Sequence, residues 1–145
     1  MFIADDPKNR LFNEHKKSPI LSQEQLIQKY KSGDIDLSQH AQWEVIKTEH
    51  TEIFSIKMPD VSMEPNIPSG ALIFFRKTNN QYSAKNQDIV LAYVAEFNAI
   101  IIREVDIQDE KLMLLPKNKI LFHQTPLSAG IKVLGLAIEW RYQPR

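Results

Sequence analysis

The sequence predicts a mainly β fold with one short N-terminal helix, and three observations carry that expectation. From Glu52 onward apolar residues recur with a period of two, short apolar runs alternate with turn-rich stretches, and one segment alone has helical spacing closed by turn signals. The chain has 145 residues, 43% of them hydrophobic, enough for one real core and too few for two full-sized domains. The expected organisation is an arm or linker over residues 1–50 and one domain over residues 51–145.

Residues 1–19 are polar and include Pro7, Asn9, Lys16, Lys17 and Pro19, a composition that does not offset the entropy of ordering unless it docks on something. Ser22 stands three residues before Gln25, the spacing of a capping box, and Leu26, Ile27 and Tyr30 fall on one stripe before Gly33 supplies a left-handed stop. The spacing predicts a helix over residues 23–32. Asp34 to His50 keeps no period and reads as irregular or edge strand, with Trp43, Val45 and Ile46 apolar enough to pack. Phe54, Ile56 and Met58 then alternate with Ser55 and Lys57, as in a strand with one buried face. Further strands are expected over Ala71–Arg76, Asp88–Val94, Ala99–Val105, Lys111–Leu115 and Ile131–Trp140, with turns at Thr78–Asn80 and Pro116–Asn118. No internal repeat is visible, which excludes solenoids and propellers.

Eighteen basic residues balance eighteen acidic ones, so no global field draws the chain to nucleic acid or to a membrane surface. Without cysteine there is no disulfide framework and no thiolate metal site. The apolar runs are too short to span a bilayer, and Met1–Ile3 runs straight into Asp5, Asp6, Pro7 and Lys8, unlike a signal peptide. A cytoplasmic protein is expected. His15, His40, His50 and His123 are scattered without metal-ligand spacing, and neither a metal nor a cofactor is expected. Asp5-Asp6 and Asp109-Glu110 read as solvated turns rather than a catalytic carboxylate pair. Phe74-Phe75-Arg76-Lys77 resembles a nucleic-acid platform only superficially. On a strand the two rings point to opposite faces, one toward the core and one toward an edge or interface.

Between the first two predicted strands of the domain lies Pro59-Asp60-Val61-Ser62-Met63-Glu64-Pro65-Asn66-Ile67-Pro68-Ser69-Gly70. It is followed by Asp88-Ile89-Val90-Leu91-Ala92, Ile101-Ile102-Arg103, Leu114-Leu115-Pro116-Lys117-Asn118 and Val133-Leu134-Gly135. In this frame the segment resembles the nucleophile loop of the LexA and phage-repressor C-terminal domain family, shared with mutagenesis proteins of the UmuD type and with signal peptidases. Lacking an apolar anchor segment, the chain is more similar to the repressor branch. The resemblance implies a β-ribbon fold, a serine nucleophile at Ser62 and supporting roles for Met63, Pro65 and Gly70. It also implies a C-terminal domain that dimerises, attached to a helix-turn-helix unit through a linker with a scissile bond. Residues 1–50 offer no pair of helices joined by a tight turn, so DNA contact is expected only through a domain that this chain does not contain.

A serine hydroxyl is a weak nucleophile near neutral pH and needs a base within hydrogen-bond reach. The family uses a lysine whose pKa is lowered by burial, placed just before an arginine on a later strand. In that pattern the lysine position falls on Ile102 and the arginine on Arg103, with Arg103 facing away from the base position. Lys57, Lys77, Lys85 and Lys111 read as solvated side chains. The expected function is therefore dimerisation and regulation in a prophage-type transcriptional repressor whose degenerate site does not self-cleave. The alternative is an active autopeptidase that cuts its own linker at Ser32-Gly33, the only glycine before Ser62. Nothing among the residues points to RecA or to another inducer. The alternating run Leu134, Leu136, Ile138 and Trp140 is the expected homodimer contact.

Overall fold

The computed structural model describes residues 15–32, 42–79 and 81–142. In chain order its elements are β1 (His15–Pro19), α1 (Gln23–Ser32), β2 (Trp43–Lys47), β3 (Ile53–Lys57), β4 (Leu72–Lys77) and β5 (Ile89–Val94). A single 3-10 turn (Ala95–Phe97) leads to β6 (Ala99–Gln108), β7 (Lys111–Leu115), β8 (Thr125–Pro126) and β9 (Ile131–Arg141). β1 and β2 form a two-stranded ribbon, and the other strands form one sheet in the order β3-β4-β9-β5-β6-β7-β8. Every strand pair is antiparallel. The mainly β expectation and its short helix are both met.

Local chemistry explains the connections. The capping box at the start of α1 is reciprocal: the Gln25 N–H donates to Ser22 Oγ at 3.2 Å, and the Ser22 N–H donates to Gln25 Oε1 at 2.8 Å. β6 and β7 are joined by the two residues Asp109 and Glu110, because Gln108 pairs directly with Lys111. Both turn residues have positive φ, 49° and 64°, the geometry of a type I′ hairpin. Pro126 sits in the outermost strand, where its missing N–H costs no ladder bond.

The largest core cluster brings Leu21 and Leu26 together with Phe54, Ile56, Met63, Ile67, Phe75, Leu91 and Ile102. Packing thus runs across the boundary expected at residue 50, and part of the stretch expected to be an arm is strand β1. Ser55, expected on a solvent face, is fully buried. Its hydroxyl donates to Pro19 O at 2.9 Å and accepts from Ser18 Oγ at 3.1 Å, and the Leu21 N–H donates to Ser55 O at 2.8 Å. An unpaired hydroxyl in that position would cost about 1–3 kcal/mol, so β1 completes β3 rather than merely lying over it.

Phe74 and Phe75 also differ from expectation. They face opposite ways, yet both are fully buried, because the sheet is covered on both sides. Phe75 stacks on Phe54 at 5.5 Å in the main cluster, while Phe74 packs with Ile46 of β2 and with Ile53. Gly135 permits this arrangement: a Cβ there would stand 2.8 Å from the Phe54 ring and 3.0 Å from Phe75 Cβ. No helix among the described residues is long and apolar enough to cross a membrane.

Candidate functional site

The loop between β3 and β4 is closed by its own backbone. The Met58 N–H donates to Ala71 O at 2.7 Å and the Gly70 N–H to Met58 O at 2.9 Å. Gly70 has φ +88°, with open space where a Cβ would stand, so the residue serves the backbone conformation rather than a close approach. Met63 and Ile67 are buried plugs that fix the loop to the core, and the Ile67 N–H bonds Met63 O at 2.9 Å. Pro65 is exposed on its outer side.

Ser62 sits at the head of this loop and is fully buried. Its N–H donates to Asp60 Oδ1 at 3.0 Å, and its carbonyl accepts from the Asn118 N–H at 2.9 Å. Asn118 Nδ2 also donates to Val61 O at 3.3 Å, so the loop after β7 clamps the serine from its second side.

The hydroxyl itself meets Arg103. Arg103 Nη1 donates to Ser62 Oγ at 2.8 Å and to Ile102 O at 2.9 Å, and the Phe122 ring lies over the guanidinium at 5.3 Å. Burial lowers the Arg103 pKa below its ordinary value, and the Asp60 carboxylate nearby acts in the opposite direction. Among the described residues no carboxylate forms an ion pair with it.

Ile102, expected at the base position, lies instead in the main core cluster, fully buried and opposite Leu91. The two neighbours do face opposite ways, as strand alternation requires. It is the face toward Ser62 that belongs to Arg103. A cue was present in the sequence: Arg103 is flanked two residues away by Ile101 and Val105, which pack together in the second core cluster, so it is a lone cation on an apolar face. Lys57, Lys77, Lys85 and Lys111 are all exposed, and Lys117 pairs with Glu104 at 2.9 Å. Ser32 ends α1, and Gly33, the other half of the candidate scissile bond, lies outside the described residues.

Chemically the arrangement holds a hydroxyl without deprotonating it. A guanidinium is a donor with no acceptor capacity, and near neutral pH it takes no proton from serine. It occupies a lone pair of Oγ, which orients the group and lowers its nucleophilicity.

A two-sheet β domain with a buried serine heading a clamped loop, facing a cation on β6, has the make-up of a serine-peptidase-like fold. Comparison with protein families gives the assignment: the Peptidase S24-like family model matches residues 18–138, and the chain belongs to that family. The match begins ahead of the boundary expected at residue 51, in the strand that completes β3. No curated protein matches the chain.

Proposed function

We propose that the protein is the dimerising, regulatory domain of a prophage-type transcriptional repressor, with a serine site that does not cut. One observation carries this reading: the Ser62 hydroxyl accepts a 2.8 Å hydrogen bond from Arg103, where a self-cleaving relative needs a neutral amine. The match to the S24-like family spans both residues of the pair, which supports a role that requires surface rather than chemistry.

Support for the dimer comes from β9. Its pairing with β5 ends at Leu136, so Ala137–Arg141 have β4 on one side and no strand on the other among the described residues. Trp140, Tyr142 and Val45 are exposed at this end of the molecule, and Arg141 Nη1 ties β9 to Val45 O at 2.9 Å. An unpaired edge beside exposed aromatic side chains suits antiparallel pairing with a second copy. The described residues hold one α-helix, which leaves operator binding to a helix-turn-helix unit outside them.

Incubation at neutral pH and at about pH 10, followed by intact-mass measurement, tests the loss of cutting. The expected result is an unchanged mass at both. Alkaline fragments that disappear in Ser62→Ala would show that a base has been overlooked and that the domain is an autopeptidase.

A further inference from the structure

The loop that clamps Ser62 has a build of its own. It leaves β7 after Leu115 and returns to β8 at Thr125, and the pairs Leu114↔Thr125 and Met113↔Pro126 hold its two ends together. A loop with joined ends can move as a unit without disturbing the strands at its base. Pro116, at the start, is buried, whereas at the tip Ile120 is 92% exposed and Leu121 67%. Among the described residues, none of 117–124 belongs to a core cluster.

What fastens the loop is directed at the Ser62 site. Asn118 reaches the serine loop through its N–H, on Ser62 O at 2.9 Å, and through Nδ2, on Val61 O at 3.3 Å. The same residue holds the turn above it, because its Oδ1 accepts from the Leu121 N–H at 3.4 Å and its carbonyl from the Phe122 N–H at 3.3 Å. The turn in turn places the Phe122 ring over the Arg103 guanidinium at 5.3 Å. Lys117 pairs with Glu104 at 2.9 Å, but both side chains are partly exposed and such a pair contributes little. The groups these contacts meet, Ser62 and Arg103, are buried. A segment held by polar contacts and one ring, without a share of the core, lies at the low end of local stability.

We propose that residues 117–124 form a hinged strap that closes over the Ser62–Arg103 pair and opens while the sheet stays folded. Pro116 and the Leu114↔Thr125 pair are its fixed ends, and Asn118 and Phe122 are its catch. Solvent or a ligand reaches the pair only through the open form, so apparent affinity at the site falls in proportion to the fraction of molecules that are open. The strap is independent of whether Ser62 cuts: an autopeptidase would carry the same cover, and intact mass reads cutting alone.

Native-state amide hydrogen exchange of the full chain reads the opening. The Asn118 and Phe122 amides are expected to be at least about tenfold less protected than the best-protected amides of β5 and β6, and low denaturant concentrations should leave their exchange unchanged. Phenylglyoxal labelling of arginine, followed by peptide mass measurement, reads the cover. Asn118→Ala with Phe122→Ala is expected to raise the labelling rate of Arg103 at least about tenfold, with Arg76, Arg141 and the circular dichroism spectrum unchanged. Strap amides as well protected as those of β5 and β6 would overturn the proposal, because the loop would then open only with the sheet. Arg103 labelling that the double variant leaves unchanged would do the same. So would a double variant without the native spectrum, since the sheet would then depend on the strap.

Discussion

A hydroxyl that accepts from a guanidinium is anchored rather than activated, and that difference has a measurable energy. Ser62→Ala removes one of the two oxygens that Arg103 Nη1 contacts in a buried setting and is expected to destabilise the domain by about 1–2 kcal/mol. Arg103→Met removes a buried cation with no ion-pair partner among the described residues, which offsets part of what the lost bonds contribute. Denaturant titration of both single variants and the double variant should give a coupling of about 1 kcal/mol or more, and additive effects would mean that the contact contributes nothing. Burial lowers the Arg103 pKa, but arginine keeps its proton in proteins, so Arg103 adds no pH dependence to stability in the ordinary range. Tyr82 does. Burial first, then its hydrogen bond to Asp88, raise its pKa above the ordinary tyrosine value, while Arg76 over the ring acts in the opposite direction. The folded protein therefore keeps the proton where the unfolded chain loses it. Stability from this residue is present below about pH 10 and is lost as pH rises beyond. Tyr82→Phe is expected to cost about 1 kcal/mol at neutral pH through the lost hydrogen bond and to flatten the alkaline fall, read as unfolding midpoints across pH.

Elements bound by local chemistry behave differently from those bound by distant partners. The β6–β7 turn places Asp109 and Glu110 in left-handed conformations, where the Cβ of Glu110 carries a steric cost that glycine avoids. Glu110→Gly is expected to stabilise the domain by roughly 0.5–1 kcal/mol, visible as a higher midpoint in urea, whereas the same change in a right-handed turn would destabilise it. The same division explains what the residues disclosed in advance. β3 to β7 and β9 were legible because an alternating strand writes its pattern into a short window, and α1 was legible because its cap and stripe lie within ten residues. β1 was not, and β2 stayed open between irregular chain and edge strand, since Lys16, Lys17 and Ser18 become strand only by pairing with Ile46, Val45 and Glu44 far along the chain. The burial of Ser55 depends on that same ribbon. At the site, alternation separates Ile102 from Arg103 but does not say on which side the Ser62 loop folds back. That side is set by Asn118 and Phe122 from beyond β7.

For the whole molecule, the surface at the end of β9 decides between a lone domain and an assembly. Trp140 is 42% exposed and Val45 47%, beside a stretch of β9 whose second edge has no strand among the described residues. In water such an edge invites pairing, and aromatic anchors near the centre of an interface carry a large share of its binding energy. Two-fold pairing would also set two attached DNA-binding units at a fixed separation, raising operator affinity through effective concentration without a new base contact. Trp140→Glu places a carboxylate where the second copy would bury it, and a like charge from that copy comes close by symmetry. The penalty expected for a desolvated, unpaired charge is about 2–5 kcal/mol, which raises the dimer dissociation constant by at least about thirtyfold. Sedimentation at micromolar concentration should therefore find the unaltered chain as a dimer and the variant as a monomer with an unchanged circular dichroism spectrum. A monomer in both cases would remove the regulatory reading, because a domain that neither cuts nor pairs has no means of controlling a repressor.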